Sequence, residues 1–100
     1  MGNSTQKAPQ YLSRQSKTWW RRVVGEYEMK TGGELALVTE AASSLDRIAE
    51  CRAVIERDGL CIEGSRGLVA HPAARLEQQH RQLVIQCCRT LGISSPVEDD

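Results

Sequence analysis

The order of apolar and polar positions divides the chain into three helical stretches and one short two-stranded element. From Ser13 to about Met29, Trp19, Trp20, Val23, Val24 and Tyr27 recur at the three-, four- and seven-residue spacings of one helix face. Ser13 is placed to cap the first turn, and Thr31-Gly32-Gly33 closes the pattern. A longer helical pattern covers about 34–58. Leu35, Val38, Ala41, Ala42, Leu45, Ile48, Ala49 and Ile55 keep to one side of it, and Glu40, Arg47, Glu50 and Arg57 to the other. Gly59 stops it, because a residue without Cβ takes the left-handed backbone at little cost. Leu60-Cys61-Ile62-Glu63 and Leu68-Val69-Ala70 then flank Gly64-Ser65-Arg66-Gly67, which predicts a β-hairpin over about 60–69. His71-Pro72 opens a third helix, about 72–91, with Leu76, Leu83, Val84, Cys87 and Leu91 as its inward stripe and Gly92 as its stop. Gly25 inside the first helix costs about 1 kcal/mol against Ala and suits close packing or a bend.

The expected fold is therefore mainly α: three helices (about 13–29, 34–58 and 72–91) and a short hairpin between the second and third. It forms one domain over 13–93, after a flexible polar arm at 1–12 and before an acidic tail at 94–100. With 100 residues, one core burying roughly two-thirds of the unfolded surface is the ceiling. The chain has no Phe, and its four aromatics, Tyr11, Trp19, Trp20 and Tyr27, all lie in the first third. Aliphatic residues must fill the remaining core, so association with further copies is a plausible source of burial. A lone two-stranded hairpin is marginal in water and must lean on the helices or on a neighbouring copy.

Charge changes the picture more than composition does. The formal sum is zero, yet residues 1–30 carry six basic side chains against two acids, 31–70 carry four against seven, and 71–100 three against four. The chain runs from a basic start to an end at Glu98, Asp99 and Asp100. Catalytic and metal chemistry find little support. Cys51, Cys61, Cys87 and Cys88 lack the two-residue gap of zinc or redox pairs, and they read as small hydrophobes in a reducing compartment. His71 and His80 have no nucleophile or carboxylate partner at short spacing; His71 reads as a helix-start residue and His80 as a half-exposed helical one. Gly64-Ser65-Arg66-Gly67 lacks the Lys-Ser/Thr ending of a phosphate loop. Met1 to Gln10 is polar, unlike a signal peptide, and no apolar run approaches a membrane span, so a soluble, cytoplasmic, non-secreted protein without membrane contact is expected. The chain reads as a binding subunit, not an enzyme, with no cofactor and no metal.

The residues with a distinct reading are Arg14, Lys17, Arg21 and Arg22, which crowd the first helix, with Lys7 in the arm before it. Clustered Lys and Arg suit phosphate contacts, and the same cluster also suits a solvated helix face. Trp19 and Trp20 project about 100° apart, so one is expected in the core while the other covers a groove or a partner.

Leu12-Ser13 with Trp19 or Trp20 in the first helix, Asp46-Arg47 in the second, Asp58-Gly59 at its end, the hairpin, His71-Pro72 and Leu91-Gly92 together resemble the small terminase subunits of tailed phages, over roughly residues 12–93. The resemblance implies a DNA-packaging component of a phage or prophage, working in the bacterial host cytoplasm. Such a subunit assembles as a homo-oligomeric ring, binds double-stranded viral DNA near the packaging start, and recruits and regulates the large ATPase-nuclease subunit. The chain has neither a Walker motif nor an acidic nuclease cluster, in keeping with a recognition role. On this reading Lys7, Arg14, Lys17, Arg21 and Arg22 contact phosphates. Trp19, Trp20, Cys61, Ile62, Leu68 and Val69 supply packing or subunit contacts, and Glu98, Asp99 and Asp100 dock on the large subunit. The chain is short after its third helix compared with many members, which leaves Ser94–Asp100 for that contact. A helical protein-interaction module without nucleic-acid binding is the alternative, and the zero net charge favours it.

Overall fold

The computed structural model describes residues 6–97. Three helices, α1 (Arg14–Glu26), α2 (Gly32–Asp58) and α3 (Pro72–Leu91), carry a two-stranded antiparallel sheet of β1 (Cys61–Gly64) and β2 (Gly67–Ala70) between α2 and α3. The architecture is the expected one, and the differences lie at the ends of the elements. Ser13 caps α1 by accepting from the Ser16 N–H. The helix stops at Glu26, three residues early, because Glu28 takes a left-handed φ of 50°. Its N–H then donates to the Gly25 carbonyl and that of Met29 to the Val24 carbonyl, so the last carbonyls are satisfied and Met29 turns into the core. Tyr27 is thereby left outside the helix and exposed.

Conversely, α2 starts two residues early. Thr31 Oγ1 accepts from the Glu34 N–H while Glu34 Oε1 accepts from the N–H groups of Lys30 and Thr31. This reciprocal cap holds Gly32 and Gly33 in the first helical turn despite their poor propensity. At the far end Gly59, at φ 91°, leaves α2 for the hairpin. The register pairs Cys61 with Ala70, Ile62 with Val69, Glu63 with Leu68 and Gly64 with Gly67 around the Ser65-Arg66 turn. The His71 N–H donates to the Leu60 carbonyl at 2.7 Å and closes the base. His71 caps α3 through Nδ1, which accepts from the Ala73 N–H, and Pro72 follows in the first turn. Gly92, at φ 75°, ends α3, and the Ile93 N–H returns to the Cys88 carbonyl.

The core forms where α1 and α3 both pack on α2. Trp19, Trp20, Val23 and Val24 of α1 meet Val38, Ala41, Ala42 and Ile48 of α2 and Val84, Cys87 and Cys88 of α3. The segment expected to be a loose arm contributes as well: Ala8 and Leu12 are buried in the same cluster, so the packed domain begins before residue 13. Ile93 and Val97 fold back against the cluster from the segment after α3. Ala49 and Leu76, expected inside, are exposed. On α3 the buried row runs through Ala73, Val84, Cys87 and Cys88, and Leu76 lies on its flank, toward the hairpin. An added Cβ at Gly25 meets nothing within 4 Å and α1 runs through it unbroken, so neither close packing nor a bend accounts for this glycine.

Candidate nucleic-acid interface

Helix α1 is fixed to the first half of α2 at two polar points. Asp46 Oδ2 accepts from the Ser13 N–H at 2.8 Å, and Asp46 Oδ1 accepts from the hydroxyls of Ser13 and Ser16 at 2.6 Å each. One turn and more further along, Trp20 Nε1 donates to Thr39 Oγ1 at 3.0 Å. Partial burial pushes the Asp46 carboxyl up, but the three donors outweigh it and hold the carboxyl below its ordinary value. The first turn of α1 contains no acid of its own and begins with Arg14, a cation at the positive end of the helix dipole. Asp46, reaching across from α2, supplies the negative charge that a first-turn acid ordinarily gives.

With its inner face fixed, α1 turns its cations outward. Arg14, Lys17 and Arg21 recur at three- and four-residue spacing on the face opposite Ser16 and Val23, with Arg22 beside them. Arg14, Arg21, Arg22 and Lys7 are exposed and Lys17 is half-buried. None of the five makes an ion pair among the described residues. The three arginines of α2 and Arg81 of α3 behave differently: Arg47 pairs with Glu50, Arg52 and Arg81 with Glu77, and Arg57 with Asp58, whereas Arg75 of α3 makes no ion pair among the described residues. Unpaired positive charge is thus concentrated on the outer face of α1 and just before it.

Both tryptophans belong to the chain's own core, at 8% exposure for Trp19 and 4% for Trp20, so neither is left over for a groove or a partner. The buried arc of α1 extends from Trp19 round to Val24, wide enough to take two side chains 100° apart. Of the hairpin residues expected to make contacts, Cys61, Leu68 and Val69 are exposed and Ile62 is half-buried. Glu98, Asp99 and Asp100 lie outside the described residues.

The two histidines are placed structurally. His71 uses Nδ1 to cap α3, and its Nε2 lies 3.0 Å from Asp58 Oδ2. Asp58 also accepts twice from the Arg57 guanidinium, which, with His71 second, holds its carboxyl far below the usual range. His80 Nδ1 is 3.4 Å from the hydroxyl of Ser44, a residue too buried to meet a substrate. Cys51, Cys87 and Cys88 are buried free thiols, and burial, then the neighbouring Cys87, pushes Cys88 to about 11. Among the described residues no cluster of His, Cys, Asp or Glu has the arrangement of a metal site, and no helix is long and apolar enough to cross a membrane.

The Asp46 anchor is the part of this interface that residue patterns do not reveal, because its partners lie 30 and 33 residues away. The latch from Asp58 to His71 and a shallow cavity of about 530 Å³ bordered by Ala70, His71, Pro72, Arg75, Leu76 and Gln79 are likewise tertiary products. Comparison with protein-family models, with curated proteins and with solved structures gives no match to this chain.

Proposed function

We propose that the chain is the DNA-recognising small subunit of a phage-type terminase, binding double-stranded viral DNA through α1 and recruiting the large ATPase-nuclease subunit. The observation that carries the DNA-binding part is the contrast in ion pairing: the α1 cations and Lys7 are unpaired and outward, while the basic residues of α2 named above are neutralised by acids. The order of motifs from Leu12-Ser13 to Leu91-Gly92 supports the terminase part. Five cations per copy give weak, salt-sensitive binding, with a log–log salt slope of about −4.5 if all five meet phosphates. Several copies in one assembly multiply those contacts through effective concentration.

Binding of a double-stranded DNA fragment across a salt series tests this. Charge reversal at Arg21 and Arg22 is expected to weaken binding at least about tenfold and to flatten the slope by about 2. An unchanged affinity and slope overturn the assignment. The acidic end is tested separately: deletion of Glu98–Asp100 with unaltered recruitment of the large subunit removes that contact from the reading. A second reading, a helical protein-interaction module, is favoured by the zero net charge and by the apolar exposure of the hairpin. It predicts that the purified chain leaves DNA unshifted even at low salt.

A further inference from the structure

Helix α3 carries one acid in its 20 residues, Glu77, and turns it away from solvent. Glu77 pairs with Arg52 across on α2 and with Arg81 on its own helix. The opposite face of α3 therefore has no negative charge. Arg75, Gln78, Gln79, Gln82, Gln86 and Arg89 occupy it at the three- and four-residue spacings of one helical arc, and all six are exposed. This arc lies across the helix from the buried Ala73, Val84, Cys87 and Cys88 and extends over about 21 Å of helix axis. An ordinary solvated helix face mixes the two signs, as α2 does with Arg47 and Glu50 or Arg57 and Asp58. On α3 four amides stand between two guanidinium groups instead, and no amide of the four bonds another side chain among the described residues.

We infer that this arc of α3 reads base edges in the major groove of double-stranded DNA. A glutamine amide donates through its N–H group and accepts through its oxygen, which matches the N6 amino group and N7 of adenine. An arginine presents two donors to O6 and N7 of guanine. A helix with its side chains is about 10–12 Å across, and the major groove is about 12 Å wide. Charge and polarity decide between occupants. A basic partner finds no carboxylate on the arc, and an apolar partner finds no large hydrophobic side chain on it between Gln78 and Arg89. A polyanion lined with donors and acceptors is matched by both residue types present. Phosphate contacts position a protein on DNA and base contacts specify the sequence. The two tasks thereby fall to different helices: the cations of α1 meet phosphates, and the uncharged glutamines of α3 carry the sequence preference.

This inference rests on the DNA reading proposed above and names the side chains that give it sequence preference, so the experiment separates the two. The full chain is mixed with a library of random double-stranded DNA fragments, and the bound fragments are sequenced. Affinities for an enriched fragment and for an unselected one are then measured across a salt series. The wild type is expected to prefer the enriched fragment by at least about tenfold. Gln79→Ala with Gln82→Ala, at exposed positions where Ala suits a helix, is expected to reduce that preference at least about fivefold. Affinity for unselected DNA and its salt slope stay unchanged in this variant, because no charge is removed. Replacing the purines of the enriched fragment by their 7-deaza analogues, which lack the N7 acceptor, is expected to reduce the wild-type preference likewise. Binding without sequence preference, or a preference that survives either the Gln79/Gln82 pair or the 7-deaza bases, overturns the inference and leaves the α1 reading standing. Failure to bind any fragment at low salt rejects the DNA reading and this inference with it.

Discussion

Along the first half of α2, α1 buries two tryptophans and two valines and turns its cations to solvent; past the far end of α2, the hairpin turns leucine and valine to solvent and is held by polar groups. About 18 Å of helix separates Asp46, which anchors α1, from Asp58, which holds the hairpin base through His71. The first region is stabilised by apolar burial and carries its charge outward, the arrangement of a face that meets a polyanion. The second reverses both roles. Its strands have little core of their own, and their outward side chains are of the kind a partner protein covers. A basic face and an apolar face thereby occupy separate parts of one chain of 100 residues.

The comparison is broken most severely by substitutions that remove apolar volume. Trp20→Ala deletes the indole that fills the space between α1 and α2 and abandons the Thr39 hydroxyl, so it is expected to cost about 3–5 kcal/mol in urea unfolding. Leu68→Ala, at an exposed site, is expected to change the stability of the isolated subunit by less than about 0.5 kcal/mol. Equal costs at the two sites would mean that the hairpin belongs to the core after all.

The next effect is electrostatic. Replacing Asp46 by Asn weakens a site that accepts three hydrogen bonds, at an expected cost of about 1–3 kcal/mol at neutral pH. The carboxyl is lower in the folded chain than its unfolded value near 3.9, so its contribution is complete above that value and lost as pH falls through the folded pKa. Stability of the wild type is therefore expected to drop below about pH 4, and Asp46→Asn to drop less. Asp58 is lowered in the same direction by Arg57 and His71, but it holds only the hairpin base. Its Asn variant is expected to speed amide exchange at Leu60–His71 and to leave the α2 and α3 amides unchanged. Denaturant midpoints measured from pH 7 to pH 3 and hydrogen exchange separate the two carboxylates.

Local pattern was enough to place three helices and the hairpin, because each has its own period and α2 and α3 have their stops at Gly59 and Gly92. It failed where a distant or unusual partner decides. The polar composition of residues 1–12 conceals Ala8 and Leu12, whose burial depends on the core cluster they join. Gly32-Gly33 reads as a break, yet the Thr31–Glu34 cap carries the helix through it. The end of α1 depends on Glu28 accepting a left-handed backbone that its residue type does not advertise. For the candidate interface, the positions of the cations were legible in the sequence. Their freedom from ion pairs was not, since pairing is settled by which acids α2 and α3 bring together, such as Glu77 between Arg52 and Arg81.

The smallest expected effect sharpens the comparison at α1 itself. Gly25 falls in the same outward row as Arg14 and Arg21, in open space, so the glycine is not required by packing within the chain. Gly25→Ala is expected to stabilise the fold by about 0.5–1 kcal/mol through helix propensity alone. The informative measurement is DNA affinity in the same variant. If affinity is unchanged, the row of cations works as side-chain reach alone and Gly25 is simply a weak point of the helix. If affinity falls while stability rises, the bare backbone at Gly25 lies against the bound polyanion, and the contact surface of α1 extends past Arg21 and Arg22 toward Glu26.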